Sequence, residues 1–398
     1  MQTPRLYSSI LDRHLSEYRQ MAFVSGPRQV GKTTTCRERG DVYLNWDNDD
    51  HREVILAGAG AVARYAKLDS LADRRPVIVF DELHTYGKWR QFLKGFFDTY
   101  EHRTRVIVTG SSRLDQFRRG GDSLMGRYFP LRMHPLSVAE LAAQDIPAGL
   151  VRPPHPIADD DWQTLWTHGG YPEPFTQRSP RFTSRWRELR RTQLLREDIR
   201  DLTRIHELDR LSSFEMLLAK RSGEQLVATS LAKAVRVSEN TVRAWIATLC
   251  TLHHGFVLRP WHQSITKALR KEPRWFLRDW SGIADPGKRF ETMCACHLLK
   301  AVEGWTDLGL GVFELRYLRD TQGREVDFVV VRDGKPWILA EAKLSDETPA
   351  PALKHYQPIT GAAHAFQIVA NLPYVDADAF TRHDPVAVPA KTLLSQLL

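Results

Sequence analysis

Glycine, lysine and threonine stand near the N-terminus at a spacing suited to polyphosphate binding. An apolar run ends at Ser25, and the sequence continues Gly26-Pro27-Arg28-Gln29-Val30-Gly31-Lys32-Thr33-Thr34. Glycines lack a Cβ atom, so the backbone N–H groups of the loop and of the next helix can surround phosphate oxygens. Lys32 would reach the β- and γ-phosphates, and the Thr33 hydroxyl would ligate Mg²⁺. The alternative is a glycine-rich turn, but the complete pattern after a strand favours binding of ATP or GTP.

A second element of the same chemistry follows. The apolar run 77–80 is typical of a strand buried on both faces, and it ends in Asp81 and Glu82. We expect Asp81 to hold Mg²⁺ through water and Glu82 to activate the attacking water. A third strand ends in hydroxyls, of which Thr109 or Ser111 would orient that water. The alternative for both hydroxyls is a cap on the strand and its turn.

Phosphate transfer also needs positive charge beside the departing γ-phosphate. We favour Arg127 for this role, because Gly126 lets the backbone come close and present it. Other arginines stand nearby at positions 113, 118 and 119. Arg127 could act in its own subunit or in a neighbour, and the second case requires a homo-oligomer. The alternative is a solvated arginine on a basic surface.

Composition limits the class of protein. At 398 residues the chain should hold two or three domains, and its 42% hydrophobic and 26% charged residues are ordinary for a soluble protein. No apolar run is long enough for a membrane span, and the first residues lack a secretory signal. The four cysteines form no Cys-x-x-Cys pair, which favours the cytoplasm. A net charge of +8 favours a polyanionic partner.

The middle of the chain carries two candidate nucleic-acid surfaces. Arginines crowd residues 180–211, but interleaved acids also fit ion-paired helix faces. From residue 226 two helical patterns flank a short turn, and two strand-like runs follow, as in a winged helix. In that fold Asn240, Thr241 and Arg243 would contact DNA. Arg236 replaces the glycine common in such turns, and the alternative is a protein-packing module.

Carboxylates and a lysine lie in the last third at a spacing used by metal-dependent nucleases. Asp327 stands in the first strand of a hairpin pattern, and Glu341 and Lys343 stand on its partner strand. Asp327 and Glu341 would hold Mg²⁺, Lys343 would position water, and Glu291 would add a ligand from a helix. The alternative is a retained fold whose acids only pair with basic residues.

The register of that hairpin is a condition for the site. A two-residue Asp333-Gly334 loop pairs Arg332 with Lys335, which places Asp327 and Glu341 on opposite faces. A longer loop of odd length, or a bulge, brings them to one face. We therefore expect one of these irregularities in the hairpin.

Together these motifs resemble those of bacterial and archaeal AAA-type P-loop ATPases that carry a C-terminal domain of unknown function. The resemblance spans nearly the whole chain. It rests on Ser25–Thr34, Asp81-Glu-Leu-His84, Thr109-Gly-Ser-Ser112, Gly126-Arg127, Gly169-Gly-Tyr-Pro-Glu173, Arg196-Glu-Asp-Ile199, Glu325-Val-Asp-Phe328 and Glu341-Ala-Lys343. It implies ATP as ligand, a P-loop parallel-sheet core, a helical region with a winged helix, and a C-terminal α/β domain similar to restriction endonucleases. The sequence departs from the family at His84, where glutamine is usual.

These patterns predict five segments and two competing functions. The segments are a P-loop core at 1–143, a linker at 144–160, a helical lid at 161–224, a winged helix at 225–280 and a nuclease-like domain at 281–398. The first function is an ATPase that acts on nucleic acid, with DNA expected, and that cleaves it with the C-terminal domain. The second is an ATP-dependent switch that binds a protein partner and whose nuclease-like domain is inactive.

Overall fold

A computed structural model describes residues 5–70, 74–110, 124–195, 199, 208–261 and 272–398. The chain divides into two compact units. The N-terminal unit comprises Gln2–Pro135 and Gln144–Ile146, and the C-terminal unit comprises Leu136–Ala143 and Pro147–Leu398. Within the described parts of the chain, no helix has the length and apolar character needed to span a membrane.

The N-terminal unit is a parallel sheet with helices along the chain between its strands. Its strands are β1 (Met21–Ser25), β2 (Val42–Asn45), β3 (Val77–Asp81), β4 (Arg105–Thr109) and β5 (Tyr128–Arg132). Its helices are α1 (Leu6–Glu17), α2 (Lys32–Arg37), α3 (Asp49–Leu56), α4 (Ala59–Tyr65) and α5 (Trp89–Tyr100). Every residue of β1 and β3 is buried, as expected for strands covered on both faces.

The order of the five strands brings the polar strand ends together. The order is β2-β3-β4-β1-β5, and all pairs are parallel. Asp81 pairs with Thr109 on one side and with Asn45 on the other, at the edge where the loop after Ser25 also begins. The carboxyl ends of parallel strands are where ligands bind in open α/β sheets. This arrangement confirms the predicted fold class of the core.

The described residues of the C-terminal unit form ten α-helices and a second sheet. The helices are α6 (Val138–Ala142), α7 (Asp159–His168), α8 (Pro172–Gln177), α9 (Pro180–Gln193), α10 (Leu208–Ala219), α11 (Ala228–Val235), α12 (Glu239–Thr251), α13 (Pro286–Asp307), α14 (Pro351–Thr360) and α15 (Ala390–Ser395). The strands are β6 (Gly255–Pro260), β7 (Arg274–Leu277), β8 (Phe313–Arg319), β9 (Glu325–Arg332), β10 (Lys335–Lys343), β11 (His364–Val369) and β12 (Val386–Pro389).

The second sheet is mixed and has the order β12-β11-β10-β9-β8-β6-β7. Strands β8, β9 and β10 form antiparallel pairs, whereas β10, β11 and β12 pair in parallel. Strands β6 and β7, expected as the strands of a wing, pair with each other, and β6 also pairs with β8. These two strands therefore complete the sheet that carries the C-terminal carboxylates, across the predicted boundary at residue 280.

Helix α6 belongs to the C-terminal compact unit. We expected the core to continue to residue 143, but α6 packs within the C-terminal unit. Glu140 on α6 forms a buried ion pair with Lys300 on α13, and the backbone N–H of Val138 donates to Nε2 of His297 at 3.1 Å. A buried carboxylate is stable only beside a partner charge. This ion pair therefore fixes α6 in the C-terminal unit.

Candidate functional site

The predicted phosphate-binding loop connects β1 to α2 in a conformation that requires glycine. Gly26 has φ of +138°, and a Cβ atom there would lie 2.2 Å from the carbonyl oxygen of Met133. Gly31 has φ of +96° at the start of α2, and Gln29 also adopts a positive φ of 62°. Side chains rarely adopt these angles, so the glycine spacing follows from the turn itself. Thr33 and Thr34 are exposed beside the loop, as are Arg28 and Gln29.

Lys32 is held over this loop by backbone oxygens. Its Nζ donates to the carbonyl of Gly26 at 3.0 Å and to that of Pro27 at 2.7 Å. The lysine is 7% exposed, and burial lowers its pKa to about 8, although the charges of Glu82 and Asp81 oppose the shift. Among the described residues, the hydrogen-bond acceptors of this buried ammonium are these two backbone oxygens, which suits an incoming phosphate whose negative charge would favour the protonated form.

Asp81 has one bound and one unbound oxygen. Its Oδ2 accepts a hydrogen bond of 2.6 Å from the hydroxyl of Tyr43 on β2. Its Oδ1 is buried and has no hydrogen-bond partner among the residues that the structure describes. An orphaned carboxylate oxygen at a strand end suits a magnesium ion or one of its water ligands. The loop, Lys32 and Asp81 therefore fit a Mg²⁺-nucleotide.

Glu82 follows Asp81 in a backbone conformation uncommon for glutamate. It has φ of 52°, and its backbone N–H donates to the carbonyl of Thr109 at 3.0 Å. Burial and then the charge of Asp81 raise the pKa of Glu82 to about 7, with Lys32 opposing. Nδ1 of His84 lies 3.5 Å from Oε2 of Glu82. A carboxyl with a pKa near neutrality can accept a proton efficiently, as a general base must.

Two residues that the sequence did not single out, Arg5 and Tyr7, join the start of α1 to the surroundings of the loop. Arg5, just before α1, is buried and donates to the carbonyl of Val30 in the loop and to that of His134 at 2.6 Å. The backbone N–H of His134 donates to the hydroxyl of Tyr7 at 2.9 Å. The start of α1 thus joins the loop to the segment after β5. Contacts between residues more than a hundred positions apart leave no local pattern in the sequence.

Of the remaining residues predicted to be catalytic, some lie in described parts of the chain and others do not. Thr109 is fully buried at the end of β4, beside Asp81 in the sheet. Ser111 and the arginines at 113, 118 and 119 lie outside the described residues. Arg127 precedes β5, whose first residue Tyr128 pairs with Met21 at the start of β1.

This placement corrects the option that Arg127 acts within its own subunit. The loop follows the other end of β1, about 15 Å away along a five-residue strand. Arg127 instead pairs with Asp98 on α5, through Nε to Oδ1 at 2.6 Å and Nη2 to Oδ2 at 2.9 Å. Its side chain remains partly exposed. The two roles that stay open for this arginine are the site of a neighbouring subunit and the solvated surface position named as the alternative.

The predicted DNA-contacting residues lie on the first turns of α12. The hydroxyl of Ser238 caps this helix by accepting from the backbone N–H of Thr241 at 3.1 Å. Asn240 and Arg243 are exposed, and Thr241 is half-buried. Arg243 lies 4.0 Å from Glu239 one turn earlier. On the arginine-rich α9, Arg191 pairs with acids, as the ion-paired alternative expected: Glu215 at 2.8 Å and Glu188 at 3.3 Å.

The hairpin β9–β10 contains the irregularity that the carboxylate site required. Lys335 pairs with Arg332, and the register shifts between Pro336 and Ile338, so that Ala340 faces Phe328. Trp337 is the extra residue of the bulge. The shift places Asp327 beside Glu341: the backbone N–H of Asp327 donates to Oε2 of Glu341 at 3.2 Å, and Lys343 Nζ donates to Oε1 at 2.8 Å.

A metal ion does not fit this cluster as it stands. Arg274 on β7 ion-pairs with Asp327 at 3.2 Å and with Glu291 on α13. Its guanidinium lies among the carboxylates that were expected to hold Mg²⁺. Among the described residues, no group of three or more histidine, cysteine, aspartate or glutamate side chains has an arrangement that could hold a metal ion. The predicted ligands Asp327, Glu341 and Glu291 converge, but around an arginine.

Comparison with known proteins identifies the class of the N-terminal unit. Residues 18–142 match the family model of an AAA domain, a match that covers most of the N-terminal unit and also α6. Residues 159–284 match a domain of unknown function (DUF8612), and residues 286–389 match a second one (DUF4143). Neither of these two descriptions assigns an activity to the C-terminal unit.

Similarity over longer stretches is low. Two uncharacterized proteins, from Mycobacterium bovis (strain ATCC BAA-935 / AF2122/97) and Mycobacterium tuberculosis (strain ATCC 25618 / H37Rv), are each 26% identical over 328 residues. The matched part is 80% of this chain and 69% of theirs. AMPPCP-bound DnaA from Aquifex aeolicus is 12% identical, with a TM-score of 0.29 over 62% of this chain and 88% of that chain. A TM-score of this size supports no inference about function.

Proposed function

We propose that the chain binds ATP with Mg²⁺ in the N-terminal unit and hydrolyses it. The observation that carries this proposal is the juxtaposition of Lys32, the unpartnered oxygen of Asp81 and the carboxyl of Glu82 beside one glycine loop. The AAA-domain match supports the same reaction class. A phosphate chain lying along residues 26–34 would accept hydrogen bonds from the backbone N–H groups of the loop. Its negative charge would also be attracted to the ammonium of Lys32.

Each side chain has a separate task in this reaction. Glu82 accepts a proton from the attacking water, which its near-neutral pKa permits. Lys32 stabilises negative charge on the β- and γ-phosphates. Thr33 and Asp81 would hold Mg²⁺, which when bound neutralises charge on the phosphates and fixes their orientation. Arg127 of a neighbouring subunit would add the positive charge that the transition state needs, so the active form would be a homo-oligomer.

We infer nucleic acid, with DNA first, as the partner of the C-terminal unit. Exposed Asn240 and Arg243 at the start of α12, with Thr241, offer a hydrogen-bonding and cationic surface of the kind that enters a major groove. The net charge of +8 would draw a phosphate backbone. DNA cleavage is not part of this proposal, because Arg274 lies among the carboxylates that would have to bind metal.

A protein partner is the second candidate for the same surface. Glu239 stands 4.0 Å from Arg243 and would both repel phosphates and weaken the arginine's contact with them. Two-helix modules of this kind also serve as packing surfaces. In this case ATP turnover would switch the binding of a protein, and the C-terminal sheet would be a platform.

One experiment separates these functions. ATP turnover is measured with and without duplex DNA, in Mg²⁺ and in Mn²⁺, while the DNA is followed for binding and cleavage. We expect turnover in Mg²⁺, faster turnover with DNA, and intact DNA. Replacing Arg243 with Ala should weaken DNA binding, whereas the exposed Arg382→Ala control should not. Absence of turnover contradicts the ATPase proposal, and DNA-independent turnover without DNA binding favours the protein partner.

A further inference from the structure

Six charged side chains meet in the C-terminal sheet, where a nuclease-like domain would hold metal. They come from β7, α13, β9 and β10: Arg274, Glu291, Glu325, Asp327, Glu341 and Lys343. Four are acids and two are bases, so the carboxylates outnumber the cations beside them. Such a surplus of buried negative charge is costly unless cations or protons neutralise it.

Each nitrogen of the Arg274 guanidinium has a hydrogen-bond or ion-pair partner in or beside this cluster. Its Nε donates to the carbonyl of Gly223 at 2.7 Å, and its Nη1 lies 3.2 Å from Asp327 and 3.0 Å from Glu325. Its Nη2 pairs with Glu291. The side chain is 6% exposed. Arginine in this position is a fixed internal counter-ion, because a rotation away from the cluster would break every one of these contacts at once.

The carboxylate oxygens are likewise directed at N–H donors. Oδ1 of Asp327 faces Arg274, and its Oδ2 accepts from the backbone N–H of Ala342 at 3.1 Å. Both oxygens of Glu341 accept, one from the backbone of Asp327 and the other from Lys343. A metal ion would have to displace a guanidinium that three carboxylates hold.

The backbone around Arg274 is built to fit it. Gly223 has φ of +87°, and a Cβ atom there would lie 2.8 Å from Oε2 of Glu291. Its backbone N–H donates to the carbonyl of Trp275 at 2.7 Å, which fixes the loop against β7. The ring of Phe276 lies 5.3 Å from the guanidinium carbon. Loop, strand and ring thus surround one cation.

We propose that Arg274 is the built-in cation of this cluster and occupies the place of a divalent metal ion. The wild-type cluster is therefore closed to Mg²⁺ and Mn²⁺. Removal of the guanidinium opens a divalent-cation site formed by Asp327, Glu291 and Glu341, all of which prefer hard cations. This inference concerns the C-terminal unit alone and does not depend on the ATPase proposal.

Binding of Mn²⁺ to the nucleotide-free full chain tests the proposal, with free Mn²⁺ followed by electron paramagnetic resonance. Wild-type protein and Asp327→Asn should bind Mn²⁺ equally, because the cluster occupied by Arg274 contributes no binding site for Mn²⁺. Arg274→Ala should bind Mn²⁺ at least about tenfold more tightly than wild type. That gain should disappear in Arg274→Ala combined with Asp327→Asn. Arg274→Lys keeps a cation in place and should behave as wild type.

Thermal unfolding provides a second readout. Mn²⁺ should raise the unfolding temperature of Arg274→Ala and leave that of wild type unchanged, because a ligand stabilises only the state that binds it. The proposal is overturned if wild type loses Mn²⁺ binding when Asp327 becomes Asn, a comparison that needs no Arg274 variant to fold. It is equally overturned if folded Arg274→Ala gains no Mn²⁺ binding.

Discussion

Tyr43 donates a hydrogen bond of 2.6 Å to Oδ2 of Asp81, whereas the buried Oδ1 of Asp81 has no hydrogen-bond partner among the described residues. The two residues lie on neighbouring strands, where Asn45 pairs with Asp81 two positions beyond Tyr43. A carboxylate fixed on one side can present its free oxygen to a metal in a constant direction. In the proposed site Tyr43 would therefore position the carboxylate that holds Mg²⁺, without itself binding the nucleotide.

Replacement of Tyr43 by Phe should raise the Mg²⁺ concentration for half-maximal ATP turnover by about tenfold, because the metal-binding carboxylate loses its support. Binding of ATP without Mg²⁺ should not change. Measuring turnover against Mg²⁺ at saturating ATP checks this. The exposed Tyr65→Phe is a matched control, and a loss confined to stability would assign Tyr43 a purely structural role.

Replacement of Lys32 by Ala should abolish nucleotide binding, since it removes the ammonium that lies over the loop carbonyls of Gly26 and Pro27. Calorimetric titration with ADP or a non-hydrolysable ATP analogue measures the loss. Lys94 on α5 is exposed, and its change to Ala should leave binding intact. An unchanged dissociation constant for Lys32→Ala would remove the proposed nucleotide site.

Glu82→Gln should bind ATP normally and hydrolyse it much more slowly. The wild-type kcat/KM should rise with pH through about 7, because the carboxyl accepts a proton only above its pKa, and should fall above about 8, where Lys32 of the free protein loses its proton. The variant should lack this rise. Turnover measured from pH 5.5 to 8.5 (roughly 1.5 pH units on each side of that pKa) tests both statements. Wild-type rates in the variant would show that another group is the base.

Arg127→Ala should lower kcat by about a thousandfold with little effect on ATP affinity, as expected of a transition-state charge. Because Arg127 lies at the far edge of its own sheet, the effect must come from a neighbouring subunit. Mixing Arg127→Ala with Lys32→Ala should then restore part of the activity, since each protein supplies what the other lacks. Asp98→Ala, which removes only the partner of Arg127, is the control.

Failure of such mixtures to recover activity, together with normal turnover of Arg127→Ala alone, would make this arginine a surface residue paired with Asp98.

Proton binding by Glu291 should make the free energy of unfolding depend on pH. Burial and the neighbouring Asp327 raise its pKa from 4.5 to about 8, so the folded chain holds a proton that the unfolded chain releases. Stability from this group is complete below pH 4.5 and falls as pH rises towards about 8. In that window wild type should lose up to ~1.4 kcal/mol per pH unit more than Glu291→Gln.

Urea unfolding at several pH values checks this prediction, with the exposed Glu347→Gln as control. A parallel pH dependence in wild type and Glu291→Gln would show that Glu291 is ionised in the folded protein.

Local chemistry made the nucleotide loop and the acidic strand end predictable. Gly26, Lys32 and Asp81 stand in short patterns that report backbone shape and strand position directly. Arg5 and Tyr43 could not be found this way, because their partners are distant in the sequence: Arg5 contacts the loop and the segment after β5, and Tyr43 contacts Asp81 on the neighbouring strand. The same holds for Arg274, which sits among acids from α13 and β9. The sequence analysis also predicted an irregularity in the hairpin, but it did not predict that the extra residue is Trp337.

The sequence also did not predict that Arg127 lies at the end of the strands opposite the phosphate-binding loop, for a related reason. Gly126 before it indicated that the arginine side chain could approach a nucleotide. It did not indicate at which end of the parallel strands the arginine lies. Only the parallel pairing of β5 with β1 decides that, and this pairing joins residues about a hundred positions apart.

The bulge at Trp337 also bears on how related sequences should be aligned. Side chains alternate between the faces of a strand, so each residue gained or lost between Asp327 and Glu341 reverses one of them relative to the other. Relatives that keep this charged cluster should therefore differ in hairpin length by even numbers, or carry a compensating irregularity. An alignment that places a single-residue gap in this hairpin would mark a chain in which Glu341 and Lys343 face away from Arg274.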